Sequence, residues 1–238
     1  VNTWKDSIHF IGQHAALISV MCLLFVLPIQ LVYWLGSSMF PLFFDLRIAT
    51  VHTWLLFLVC FVLSQIPFIL IVQQIEESGE VSIIRFLRTI VDYFWSIGLR
   101  FSLFFLLIYP GLHLFIIPGA LLFVVMLFLP QALYLEPKNW KVGIRTAWDL
   151  GFHYLGKNIM LFVSALSVLK LFQDGSTYVL SLYAGGHPLA MLVPPLLGTL
   201  VFPLYTIYVT FLYLDGKEEI RISRTKLEDK ESNAYVIR

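Results

Sequence analysis

Four stretches of this chain carry no charge at all: Ala15–Leu35, Val51–Val72, Phe101–Ile117 and Leu189–Leu214. About 18 or more such residues in a row suffice to cross a hydrocarbon core roughly 30 Å thick. Runs of this kind leave a chain few options, because lipid offers the backbone no hydrogen bonds and only helices or closed barrels satisfy it internally. The basic residues orient the runs. Fourteen of the sixteen Lys and Arg fall between alternate runs: Lys5; Arg85, Arg88 and Arg100; Lys138, Lys141, Arg145 and Lys157; and the six from Lys217 to Arg238. Only Arg47 and Lys170 lie on the other side. Positive charge is retained in the cytoplasm, so both termini are expected there.

Hydrophobic residues make up 59% of the 238, charged residues 13%, and the mean hydropathy is +0.83. Soluble domains carry about 25% charged residues, and half that density excludes a water-soluble globule. The length fits a single membrane domain over residues 1–216, followed by a charged cytoplasmic tail over 217–238. Cys22 and Cys60 fall inside expected spans and form no C-x-x-C, which argues against a disulfide framework. The first apolar run is too long for a signal-peptide core and has no small-residue cleavage site. It is expected to remain as a span.

The pattern predicts an all-α integral membrane fold of six spans. Val1–His14 reads as an amphipathic interfacial helix, with Val1, Trp4, Ile8 and Ile11 on one face. Span 1 is expected over Ala15–Leu35 with a kink at Pro28. A Phe-rich outer loop over Gly36–Thr50 follows, then span 2 over Val51–Gln74, stopped by Ser78-Gly79. Val81–Ile97 repeats the amphipathic pattern, with Ile83, Ile84, Leu87, Val91, Phe94 and Trp95 as its apolar stripe. Span 3 starts near Leu99. Pro118-Gly119 turns the chain into span 4, since a turn at Pro110-Gly111 would leave span 3 only about 16 Å long at 1.5 Å per residue. Pro130 lies near the inner end of span 4. Lys138–Gly156 is a third amphipathic segment, with Trp140, Ile144, Trp148 and Leu155 facing one way and Lys141, Arg145, Asp149 and His153 another. Span 5 starts near Asn158; its outer end is ambiguous, because Lys170, Asp174 and Gly175-Ser176 interrupt it, and Thr177–Gly186 is either helical continuation or an interfacial cap. Span 6 covers Pro188–Leu214, bent by Pro194, Pro195 and Pro203.

These elements form one unit used three times, over residues 1–79, 80–136 and 137–216: an interfacial helix, then a hairpin of two spans. Arg88-Thr89-x-x-Asp92 and Arg145-Thr146-x-x-Asp149 share a pattern, and Trp4-Lys5-x-x-Ile8 matches Trp140-Lys141-x-x-Ile144 more weakly. The units point the same way, so the repeats are parallel rather than inverted.

Ionisable residues inside spans are the first place to look for function. Lys170 and Asp174, at i and i+4, form a candidate intramembrane polar site with His113 and Gln65. The competing reading has Lys170 snorkelling to the outer interface, and the glutamines Gln30, Gln65 and Gln131 making interhelical hydrogen bonds. Arg88, Asp92, Arg145 and Asp149 form a candidate cytoplasmic interface for a partner or for anionic headgroups, or else ordinary i, i+4 ion pairs on a solvated face. The six His are scattered without ligand spacing, and no G-x-S-x-G elbow or Gly-rich phosphate loop occurs. No catalytic residue, metal, cofactor or nucleic acid is expected. Glu136 follows span 4 directly and could cap the next elbow.

From Ile117-Pro118-Gly119 through Pro130 and Glu136 to Gly143-Ile144-Arg145-Thr146 and Leu150, the chain resembles the YciC-type bacterial inner-membrane proteins. It is similar also to the membrane domain attached to some glycerophosphoryl diester phosphodiesterases. The resemblance covers about Glu80–Phe162. It departs at Ala147, where the family commonly has Ser, and at Asp149, often a basic position. It implies a six-span protein of the bacterial cytoplasmic membrane without an agreed activity; the phosphodiesterase chemistry belongs to a soluble domain that is not part of this sequence. The expected function is therefore a non-enzymatic accessory or scaffold protein of the envelope, or of a transport or lipid-handling complex. Its expected partners are the bilayer, anionic lipid at the elbows, and another membrane protein or a second copy. The alternative is a transporter or channel for a small or amphipathic solute.

Overall fold

A computed structural model describes residues 3–92, 126–136, 139–183 and 193–236. The expected span 3, the first part of span 4, both Pro-Gly pairs and His113 lie outside the described residues. Among the described residues every regular element is helical. Four helical segments are long and apolar enough to cross a membrane: Ala15–Phe43, Val59–Ser78, Leu155–Ser176 and Thr199–Ile222.

The chain opens with α1 (Thr3–Gln13) and continues through His14 into α2 (Ala15–Met21). A π turn over Cys22–Val26 follows, then α3 (Leu27–Phe43). The expected kink at Pro28 is thus displaced upstream. A proline ring collides with the carbonyl four residues before it, here that of Leu24. The π turn, in which the Leu27 N–H reaches back to Cys22 O, makes room for it. The same turn directs Cys22 and Val26 into the core.

The outer loop expected over Gly36–Thr50 is almost entirely helical. Only Phe44 and Asp45, both extended, separate α3 from α4 (Leu46–Ser78). Ser37 and Ser38 do not break the helix, because each hydroxyl donates back to Trp34 O within it. Aromatic contacts close the hairpin: Phe40 packs on Phe44 and His52, and the Phe44 and His52 rings stack at 5.1 Å. Helix α4 ends as Ser78-Gly79 predicts, with Gly79 at φ 74°, a conformation in which a side chain would be strained.

Ser82 then caps α5, helical over 83–92 where the described stretch ends. Its hydroxyl accepts the Arg85 N–H at 3.4 Å, and its own N–H bonds to Gln74 Oε1 at 3.0 Å. The chain reappears as a 3-10 turn, Met126–Phe128, leading into α6 (Leu129–Leu135), whose first-turn Pro130 is well placed. After α7 (Trp140–His153) the chain passes through Tyr154 into α8 (Leu155–Tyr183). The interruption expected at Lys170–Ser176 does not occur; α8 is continuous. The last helix, α9 (Val193–Val236), runs through Pro203 and carries the expected tail with it as helix.

The core draws on α2, the π turn, α4, α6 and α9, and α9 touches α1, α3, α4, α7 and α8. The amphipathic helices attach to this core by narrow faces and leave their apolar stripes outside. In α1, Ser7 and Phe10 are buried while Trp4 and Ile8 are exposed. In α5, Phe86 is buried while Ile84 is 78% exposed, with Ile83, Leu87 and Val91 beside it. In α7 the pinned face is Gly143, Thr146, Ala147 and Leu150, and Trp140 and Trp148 point away. Gly143 is essential to that approach: a Cβ there would lie 2.9 Å from the Ala132 carbonyl oxygen of α6.

The passages from elbow to span share one geometry. His14 has φ −112° and ψ 20°, and Tyr154 has φ −102° and ψ 22°. Each N–H bonds four residues back, to Phe10 O or Leu150 O, and each carbonyl accepts from four residues on, Ile18 or Asn158. Matching His14 to Tyr154 pairs Ile8 with Trp148. That pairing differs by one helical turn from the one the sequence pattern suggests, Ile8 with Ile144.

Substitution Gly143→Val should destabilise the protein by about 1–3 kcal/mol through overpacking against a backbone that cannot yield. Gly156→Ala meets nothing within 4 Å and should leave stability unchanged. Thermal unfolding of both variants in detergent checks the contrast.

Candidate functional site

Two polar regions stand out, one inside the bundle and one on its surface. The inner one joins α4 to α6. Gln131 Nε2 donates to Gln65 Oε1 at 3.2 Å, and both side chains are fully buried. Nearby on α4, Ser64 receives a hydrogen bond from Gln30 Nε2 at 3.3 Å and donates to Cys60 O. Cys22 Sγ donates to Thr199 O at 3.7 Å across α9. Sequence spacing carries no hint that residues 65 and 131 meet.

This inner region is only half satisfied. Among the described residues Gln65 Nε2 and Gln131 Oε1 have no partner, nor do Asn158 Nδ2, Tyr205 OH and Thr206 Oγ1. An unpartnered buried polar group costs about 1–3 kcal/mol, and each calls for an explanation. Tyr205 packs its ring on Phe61, one turn before Gln65, at 5.5 Å between centroids. The free amide atoms of Gln65 and Gln131 are one donor and one acceptor, the complement that a water molecule or a small polar solute presents.

The outer region is on α8. Lys170 Nζ and Asp174 Oδ1 are 3.0 Å apart, and their side chains are 71% and 62% exposed. Gln65 is buried and this pair is exposed, so the structure places them in opposite surroundings; His113 lies outside the described residues. Counting from Asn158 at 1.5 Å per residue, Lys170 is about 18 Å and Asp174 about 24 Å along the helix. Both depths fall within a hydrocarbon core roughly 30 Å thick. The helix continues to Tyr183, so the pair does not lie at its end.

At the charged end, Glu136 gathers neighbours that its position in the sequence did not announce. Its Oε1 accepts from Tyr213 OH at 3.0 Å and pairs with Lys217 Nζ at 2.9 Å, while its side chain is only 11% exposed. Thr3 Oγ1 donates to Asp215 at 3.0 Å, and Tyr154 OH donates to Glu219 at 2.8 Å. Burial first, then that bond and the carboxylates of Glu219 and Asp215, push the Tyr154 phenol up to about 12. Lys157 covers the Tyr154 ring at 5.0 Å.

The expected cytoplasmic interface is laid out differently from an i, i+4 ladder. Arg85, not Arg88, forms the ion pair of α5, reaching back to Glu77 at the end of α4. Arg88, Asp92 and Arg145 are exposed, and Asp149 is half-buried. Among the described residues no group of three or more His, Cys, Asp or Glu could hold a metal ion. No protein family, curated protein or solved structure matches this chain.

Glu136→Ala should cost stability by about 1.5–3 kcal/mol, because hydrogen bonds to a charged group are strong and Tyr213 loses its acceptor. Lys217→Ala should cost clearly less, since the ammonium is half exposed and leaves Tyr213 bonded. Equal losses in detergent unfolding would mean that Glu136 acts only through Lys217.

Proposed function

We propose that this chain is a non-enzymatic multi-pass membrane protein, an accessory or scaffold component of the cell envelope or of a transport or lipid-handling complex. The observation that carries this reading is the outer face of α8. A candidate span that the described residues leave uncovered, and that carries a charged pair among Met160, Val163, Leu171 and Phe172, presents a docking surface. The charged end meanwhile ties α1, α7 and α9 into a stiff base, as a scaffold requires.

In this reading the protein has six spans in three parallel units, residues 1–79, 80–136 and 137–216. The shared geometry at His14 and Tyr154 supports the likeness of the first and third units. The membrane is the bacterial cytoplasmic membrane, as the likeness to YciC-type proteins implies, with both termini cytoplasmic. The exposed apolar stripes of α1, α5 and α7 then lie in the inner leaflet, and Arg88, Arg145 and their neighbours meet anionic headgroups. Reporter fusions at Gly79 and Arg238 should read cytoplasmic and one at Ser38 external. A photoreactive residue at Leu171 should yield an adduct with protein in native membranes; adducts with lipid alone would overturn the docking reading.

One observation favours a second reading, transport of a small polar solute. Beside the Gln131–Gln65 hydrogen bond, the Gln65 donor and the Gln131 acceptor are buried without a partner among the described residues. Under the scaffold reading, replacing both by Leu should be neutral or stabilising, since an apolar pair of similar shape ends the penalty. If the double variant folds well but cells lose a solute flux that the parent supports, the transport reading stands instead.

A further inference from the structure

We propose that α8 joins two copies of this chain side by side through Lys170 and Asp174, across a two-fold axis along the membrane normal. The proposal rests on the docking reading of α8 and names the partner.

The stripe on which the pair lies has the spacing of a helix–helix seam. Val163, Ser167, Lys170 and Asp174 recur at intervals of four, three and four, and all four are exposed. That is the alternation by which two helices pack at a shallow angle. Ser167 is small, which lets two backbones come close one turn before the charges.

The charges themselves select the occupant. One salt bridge uses one of three ammonium donors and one of several carboxylate lone pairs. At this depth water is scarce and lipid tails supply neither donors nor acceptors. The uncovered side therefore favours a partner that brings both a cation and an anion one helical turn apart, so that each can pair diagonally with its opposite on α8. A second copy does so. All copies insert in one orientation, so the two α8 helices run parallel, and a two-fold axis between them sets each Lys170 within reach of Asp174 of the second copy. The four groups form a neutral ring of two cations and two anions. An isologous contact of this kind closes at two copies and leaves no charge over.

Oxidation by copper–phenanthroline tests it in native membranes, with Ser167→Cys in the full chain. Cys22 and Cys60 are buried and serve as internal controls in the parent. A disulfide-linked species at twice the chain's 27.4 kDa is expected. Lys170→Asp or Asp174→Lys, each added alone, places four like charges in the ring and should cut the cross-link at least tenfold. Co-expressing those two variants should restore it between them, and both substitutions in one chain should keep it. Cross-linking to a chain of another mass would overturn self-association and leave α8 as a docking face. No cross-link at any mass would overturn the dimer, and if a photoreactive Leu171 also captures only lipid, the docking reading falls too. Cross-linking unaffected by either single substitution would show that the ring does not form.

Discussion

The end of the bundle is organised by one carboxylate. Glu136 lies at the C-terminus of α6, and its Oε1 receives both the Tyr213 hydroxyl and the Lys217 ammonium of α9. A carboxylate so little exposed is unstable without such partners. Holding them fixes α9 against α6, and α9 in turn touches most of the other helices. Trp4 packs on Tyr208 and Phe10 on Phe211, so the N-terminal helix is set by the same stretch of α9. Thr3 and Tyr154 finish the arrangement through Asp215 and Glu219. Four segments far apart in sequence are thereby brought to one level, and that level is where the basic residues concentrate.

The amphipathic helices show why a hydrophobic stripe does not by itself tell which face touches the protein. In a soluble protein the apolar stripe would be the buried one. Here the stripes of α1, α5 and α7 are exposed, and attachment is by a different face. In α7 that face is Gly143, Thr146, Ala147 and Leu150, mostly small residues with one large apolar side chain, and it works by allowing close approach. Such a face is invisible to periodicity, because small residues are chosen for what they omit. The stripe itself is legible for the opposite reason: lipid selects it as strongly as a core would.

Legibility elsewhere follows the same division between local and distant causes. The charge-free runs give helices, and Gly79 ends α4 where the sequence places a stop, because both are decided within a few residues. The outer hairpin was misread as a loop over Gly36–Thr50, since Phe-rich apolar sequence with few polar breaks is equally good helix, and the turn needs only Phe44 and Asp45. The π turn before Pro28 depends on steric accommodation that no pattern records. The Gln65–Gln131 contact and the ring of partners around Glu136 depend on tertiary packing between residues 66 and 77 positions apart. Lys170 and Asp174 were legible as a pair from their spacing, but their exposure was not, because it depends on which side of α8 the rest of the chain leaves bare.

The distribution of polar groups across the molecule then follows a consistent logic. Uncharged polar groups, glutamines and threonines, are inside, where desolvation costs far less than it would for a charge. The Lys170–Asp174 ion pair, within the candidate span Leu155–Ser176, is outside, on a helix that the described residues leave largely uncovered. A neutral pair of opposite charges is more tolerable at that depth than either charge alone, which explains how α8 can exist in a single copy. It remains a poor neighbour for lipid, because the bond satisfies only part of each group. A chain that fills its interior with apolar side chains and places its strongest unsatisfied dipole on an uncovered helix has concentrated its capacity for directional contact at that surface. Association there improves the solvation of groups that already exist, without requiring the bundle to rearrange.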